Sequence, residues 1–407
     1  MDTRKSETFS TTAARPLSPR ARRWLAILPI VVVALLAAGC GRNVPPYWPD
    51  LGTGPDQVYV AETNGQVFAL DPQTGDVLWA YPQTQKSGGG FLSGCSAQTP
   101  SDGPFFAAPA VGDELVYLSS AGEPTTSLFR RSENTAGLRA LNKLGTLQWE
   151  FRGTEARAVA SPVLSTGTVY LASSDHSVYA IDVETREARW VFETGNWVWA
   201  SPVVADDAVY VASMDHLLYA LDAASGDEVW RFEQATSALP AAPALVDGVL
   251  YLGSLDGGTY AVDAQTGSLL WQRQVSGGTW ATPQVQGGVI YFGTLSGVVY
   301  ALDAHDGATV WEQKVGGEVR GTPAYVDGTV YLGCEDGKLY AFNAQDGADQ
   351  LSPLGETLQN ASIFSSPIYD GQQLYVVATN AEIFALDLER NTVLWRTNPL
   401  EADEEGE

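Results

Sequence analysis

Seven tryptophans set the frame of this chain: Trp79, Trp149, Trp190, Trp230, Trp271, Trp311 and Trp395. From Trp149 to Trp311 they fall 41, 40, 41 and 40 residues apart, and the 84 residues from Trp311 to Trp395 make two further periods. Leu351, eight residues after Asn343, takes the missing place, so the chain reads as eight repeats. A fixed period of this length constrains the fold more than any local propensity does. Residues 290–311 are a clear copy. Two runs rich in β-branched and aromatic residues, 290–292 and 298–302, flank a Ser296-Gly297 turn, and Ala301-x-Asp303-x-x-x-Gly307-x-x-x-Trp311 follows. A strand after proline, as in Ser201-Pro202-Val203-Val204, completes the unit. Four strands of about five residues with their turns fill about 40–45 residues, the size of one propeller blade.

The motif has a physical logic. Asp or Asn after a strand caps a tight turn through its side-chain oxygen. Glycine at the turn accepts φ > 0; Arg186 and Asn391 stand there in two repeats. A tryptophan buried between neighbouring blades removes about 200 Å² from water, roughly 5 kcal/mol as an upper bound at about 25 cal/mol/Å². No blade covers both of its own faces, so the blades must stack into a ring. The expected fold is all-β, an eight-bladed β-propeller of four-stranded antiparallel blades over residues 58–400, with the seven tryptophans docking blade to blade. Repeats 3 to 7 read as regular. Repeats 1 and 2 carry insertions, one holding Cys95 and one holding Arg130-Arg131. The first repeat lacks a strand after proline, and residues 51–56 are the candidate substitute.

The Ala-x-Asp-x-x-Thr-Gly-x-x-x-Trp pattern, met as Ala69…Asp71…Thr74-Gly75…Trp79 and Ala261…Asp263…Thr266-Gly267…Trp271, resembles the tryptophan-docking motif of pyrroloquinoline-quinone (PQQ)-type propeller repeats. The resemblance covers about residues 58–400. It implies the fold strongly and the function weakly, since sites are grafted on folds.

Residues 1–39 read as a targeting segment. Arg20, Arg22 and Arg23 precede an apolar run over residues 24–38, which ends in Leu36-Ala37-Ala38-Gly39-Cys40. That ending resembles a bacterial lipobox, with Ala in place of Leu three residues before the cysteine. The resemblance implies cleavage before Cys40 and acylation there, hence stable membrane anchoring. Residues 40–57, rich in Pro and Gly, read as the lipidated cysteine and a flexible tether, and residues 401–407 as an acidic tail. Removal of residues 1–39 leaves 17 basic and 46 acidic residues. A field of that sign repels nucleic acid.

Lettering the strands A to D from the axis outward puts the B–C turns and D–A connections on one face. Both insertions fall there, as do Cys95 and Cys334. An exported compartment permits these two thiols to pair. Cys334 also replaces the small residue seen as Ser213, Ser254 and Thr294, which suits simple packing. Three residues before each strand-A proline, a side chain enters the axial funnel on this face: Phe106, Val159, Trp199, Pro240, Trp280, Arg320 and Phe364, with Trp197 beside Trp199. Phe106, Trp197, Trp199, Trp280, Arg320 and Phe364 form the candidate rim for a partner or a flat ligand; the alternative is that they plug the axis. His176 and His216, each after an aspartate, sit where other repeats have the turn pairs Asp256-Gly257 and Asp336-Gly337, so they read as turn residues.

In length, lipobox and repeat number the chain is similar to the BamB family of outer-membrane assembly lipoproteins. That resemblance implies a monomeric, non-enzymatic scaffold that binds protein partners of the cell envelope without a cofactor. No catalytic, cofactor-binding or metal-binding residues are assigned. The alternatives are a PQQ/Ca²⁺-dependent dehydrogenase, for which no calcium-ligand set stands out, and a ligand-sensing or carbohydrate-binding propeller.

Overall fold

The structure, a computed structural model, describes residues 50–82, 104–122, 136–355 and 357–401. All belong to one of two compact units, residues Trp48–Glu407; the other, Met1–Tyr47, lies outside them. Cys40, Cys95, most of both insertions and the acidic tail beyond Glu401 therefore fall outside the described residues.

The described residues form eight antiparallel sheets, seven of four strands and one of three. Blade 1 comprises β1 (Asp50–Thr53), β2 (Val58–Ala61), β3 (Val67–Leu70) and β4 (Val77–Tyr81). Blade 8 comprises β28 (Ile368–Tyr369), β29 (Leu374–Val377), β30 (Ile383–Asp387) and β31 (Thr392–Thr397). The eight-bladed, four-stranded propeller expected from the repeat is what the chain forms. Residues 50–53 do supply the inner strand of blade 1, pairing Asp50 with Ala61 and Thr53 with Val58. The propeller thus begins at least eight residues before the expected boundary at 58.

Strand β1 lies against the inner strands of blades 2 and 8 and closes the ring. Each blade is a continuous stretch of chain, so closure uses no strand shared between the two ends. It uses the same joint as five other seams. The indole N–H of Trp395 donates to the Pro72 carbonyl at 2.9 Å, and the Gln373 side-chain amide donates to the same oxygen. Trp79, Trp190, Trp230, Trp271 and Trp311 likewise donate to Lys143, Ala223, Ala264, Ala304 and Ala344 of the following blade, at 2.9–3.2 Å. A buried indole that keeps its polar partner contributes its full apolar area. Among the described residues the core is divided into eight apolar clusters, one per seam.

The motif residues explain themselves in this geometry. Each docking tryptophan faces an alanine across the C–D pair, as Ala301 faces Trp311 and Ala220 faces Trp230. A β-bulge follows that alanine and throws the residue before the tryptophan outward. This accounts for exposed Leu78, Val229, Leu270, Val310 and Leu394 around the circumference. The turn aspartates accept backbone N–H groups two and three residues on: Asp182 from Glu184 and Thr185, both at 2.8 Å. With the Arg189 guanidinium added, these bonds hold its carboxyl down at about 2.

Blade 7 departs from expectation. It has β25 (Ala324–Val326), β26 (Thr329–Gly333) and β27 (Leu339–Asn343), with no outer strand among the described residues beyond a bridge from Phe342 to Asp349. Leu351 does not replace the tryptophan: it is 83% exposed. Leu354 and Leu358 are buried in the blade 7–8 cluster instead. Repeat 7 is therefore irregular, and spacing alone misplaced its packing residue.

Blade 1 holds a buried carboxyl. Glu62 follows β2 at the place of Ser173, Ser213, Ser254 and Thr294; it is 4% exposed, and among the described residues its Oε1 has no hydrogen-bond partner. Burial pushes its pKa up to about 8. The folded state then holds a proton that the unfolded chain has released, so stability falls as pH rises between the unfolded and folded values, at most about 1.4 kcal/mol per unit. Asp50, pushed up to about 6 by burial against the Leu51 N–H bond, acts in the same direction but below pH 6. Between pH 6.5 and 8 the melting temperature of wild type should fall more steeply than that of Glu62→Gln. Parallel slopes would mean that Glu62 is ionised and hydrated in the folded state.

Candidate functional site

The B–C turns and D–A connections share one face, and short hydrogen bonds lock them together. Asp215 Oδ2 accepts from the Gly195 N–H at 2.7 Å and from the Tyr219 hydroxyl at 2.8 Å, while Oδ1 accepts from the Leu217 N–H. Asp175 does the same for the Glu155 N–H and the Tyr179 hydroxyl. The Tyr179 and Tyr219 phenols are pushed upward by burial and by these carboxylates. His176 and His216 complete the turns with φ of 73° and 76°, the left-handed place held by Gly257, Gly297 and Gly337 in other blades. They are turn residues, and among the described residues no group of three or more His, Cys, Asp or Glu is placed to hold a metal ion.

On this scaffold five of the six candidate rim residues form one contact chain. Trp197 and Trp199 stack nearly parallel, 5.2 Å between centroids and 15° between planes. Trp199 meets Trp280 at 6.0 Å. The Arg320 guanidinium lies over both Trp280, at 5.6 Å, and Phe364, at 5.1 Å. Blades 4 and 6 touch although blade 5 stands between them, because blade 5 presents only Pro240 there, and Pro240 is buried. Phe106, the sixth, is half-buried on blade 2. The chain is anchored at both ends. The Trp199 indole N–H donates to Ser174 Oγ at 3.3 Å, the Trp197 carbonyl accepts the Met214 N–H at 2.9 Å, and Arg320 Nε donates to Glu318 at 2.8 Å. Trp199, Trp280, Arg320 and Phe364 are half-buried, whereas Trp197 is 44% exposed.

Sequence reasoning missed Glu318, whose carboxylate holds Arg320 in place; its position two residues before Arg320 was the available signal. It also missed that Trp197 and Trp199, two apart on an irregular connection, lie parallel rather than on opposite sides. Cys334 is a fully buried thiol packed with Val330, Leu332 and Phe342, and burial pushes its pKa up to about 12. Its candidate partner Cys95 lies outside the described residues.

The opposite face carries a cleft of about 350 Å³ between blades 1 and 2, lined by Asp56, Asp113, Lys143 and Tyr59 among others. Burial lowers the Lys143 ammonium pKa, opposed by the two carboxylates. The cleft is remote from the rim and belongs to the longer A–B turns of the first two blades.

Residues 49–121, 134–284 and 276–407 match the family described as outer membrane protein assembly factor BamB. The chain belongs to that PQQ-like BamB family. Among solved structures, the crystal structure of BamB from Moraxella catarrhalis is similar at 17% identity and a TM-score of 0.64, over 84% of this chain and 94% of that one. The crystal structure of the computationally designed Ika8 protein is similar at 15% identity and a TM-score of 0.67, over 84% and 96%. Both likenesses concern the fold. No curated protein sequence matches the chain.

A quinone cofactor, which PQQ-type repeats bring to mind, requires an open tryptophan face with room on its other side. A flat ring inserted between two indoles needs about 7 Å between their planes. Trp197 and Trp199 already stack on each other and Trp280 lies under Arg320, so no slot opens between these indoles, and among the described residues no second indole stands opposite the bare outer face of Trp197. The described residues also offer no cluster of acidic groups for a calcium ion. The rim as built does not fit that pair.

Proposed function

We propose that this chain is a non-enzymatic scaffold, lipid-anchored through Cys40 on the extracytoplasmic side of the cell envelope, that docks a protein partner on its B–C/D–A face during outer-membrane protein assembly. The observation that carries the reading is the rim. An aromatic chain joined by one guanidinium spans blades 4 to 8, and its exposed end is a large ring. Tryptophan and arginine are the residues that most often dominate protein interfaces. Family membership supports the assembly role, and the lipobox-like ending at Cys40 supports the anchor.

Two measurements test this. Recovery of the crosslinked partner from envelopes should drop at least about thirtyfold in Trp199→Ala/Trp280→Ala, the size expected for a hot spot worth about 2 kcal/mol. Undiminished recovery, with the variant folded, would remove the rim from the docking surface. A calorimetric titration of the protein with PQQ and Ca²⁺ should show no saturable heat; micromolar binding would turn the reading toward quinoprotein chemistry.

A further inference from the structure

The stacked pair has one bare end, and the turns and connections around it carry more acidic than basic residues. The three turns nearest it in blade order present Asp175, Asp215 and Asp256, and the connections beside them add Glu155, Glu193 and Glu233. Within the same turns and connections the cations are Arg157 and Arg152, and Arg152 is paired with Glu150 at 2.9 Å. The turn aspartates accept hydrogen bonds from N–H and O–H groups, which fixes their position and leaves their charge in place. At the other end of the chain, Arg320 shows how this rim holds a cation. A guanidinium spans two aromatic faces while Glu318 takes its N–H groups. Trp197 offers a similar face, backed by Trp199, on the connection whose Gly195 N–H is bound by Asp215, and among the described residues no guanidinium lies over it.

We infer that the exposed face of Trp197 receives an arginine or lysine side chain from an extended basic segment of the protein partner. The inference rests on the docking reading above and names the chemistry of that partner. A ring quadrupole attracts a cation, and attraction is stronger when the ring is partly withdrawn from water. The neighbouring carboxylates raise the local concentration of a basic segment, and the ring then selects its register. A neutral glycan could stack on the indole and donate hydroxyls to the carboxylates but would gain nothing from their net charge, and an anionic lipid surface would be repelled by it.

The test uses the full chain in detergent micelles and three fluorescein-labelled probes: hexa-arginine, hexa-citrulline and hexa-glutamate. Citrulline keeps the planar shape of arginine and lacks its charge. Hexa-arginine should bind saturably and the other two at least tenfold more weakly. Trp197→Ala should weaken hexa-arginine about tenfold, and Trp197→Phe should restore part of the loss. Because the whole chain is acidic, a control is needed. Asp206→Asn/Asp207→Asn, in an A–B turn on the opposite face where Asp206 has φ of 50°, should change binding less than twofold. Equal loss in Trp197→Ala and in the control, or no effect of Trp197→Ala, would overturn the inference while leaving the docking reading intact. Undiminished partner recovery in Trp199→Ala/Trp280→Ala would instead overturn the docking reading and, with it, the assignment to a protein partner.

Discussion

Trp311→Ala should lower stability by about 3–5 kcal/mol, the range for truncating a buried large aromatic. The residue is 7% exposed, packs in the blade 6–7 cluster with Val330, Leu332 and Phe342, and donates its indole N–H to the Ala344 carbonyl at 2.9 Å. Three losses coincide: transfer of the ring, a cavity in the seam, and one of the two hydrogen bonds to the Ala344 carbonyl, which keeps only the Tyr291 hydroxyl at 3.1 Å. In an open stack the damage would stay local. In a ring, each blade holds its neighbours at both seams, so one loosened seam opens the circle. A single cooperative transition shifted down by roughly 5–10 °C is expected in thermal denaturation. A shift under about 2 °C would show that the neighbouring side chains collapse into the space, as Leu354 and Leu358 do where blade 7 has no tryptophan.

Gly267→Ala should cost about 2–4 kcal/mol, and Gly248→Ala no more than about 1–2 kcal/mol. The two glycines share a left-handed backbone, φ of 71° and 77°. Both substitutions therefore carry the left-handed penalty of about 1–2 kcal/mol. Only Gly267 lies under a ring: a Cβ there would sit 2.6 Å from Trp230 Cε3 and 2.7 Å from Cδ2, whereas one at Gly248 meets nothing within 4 Å. The extra cost is the overpacking of the seam. Denaturant midpoints of the two variants decide it, and equal losses would mean that the backbone alone calls for glycine. The chain contains a related natural case. Asn391, with φ of 54°, stands at the glycine place of blade 8, the blade that follows the one without a tryptophan. With no indole to admit, a side chain is tolerated there. Arg186 holds the same place in blade 3, and no such explanation covers it.

The rim variants and the basic probes address the face, the Glu62→Gln pH series addresses a buried carboxyl of blade 1, and the seam variants address the ring. They are separable because Trp197, Trp199, Trp280 and Arg320 lie on connections outside the blade clusters, and Glu62 lies on blade 1, away from that chain of contacts.

By itself the sequence determined the ring. A 40–41-residue period with one tryptophan, one turn Asp or Asn and, in most copies, one glycine leaves few architectures, because both faces of every blade must be buried by neighbours. It also determined the strand order, and hence which face Trp199, Trp280 and Arg320 occupy, since antiparallel strands alternate direction without exception inside a blade. Only the tertiary structure decided what depends on distance between repeats. Trp199 and Trp280 are 81 residues apart and meet only because Pro240, in the blade between them, is small and buried. Leu351 has the right spacing to replace a tryptophan, yet it faces solvent while Leu354 and Leu358 fill the seam, because periodicity reports where a strand should be and not whether the chain pairs there. Closure through β1 was obscure for a similar reason. Asp50-Leu51-Gly52-Thr53 carries weak strand propensity and takes its conformation from pairing with β2 and from the ring it completes.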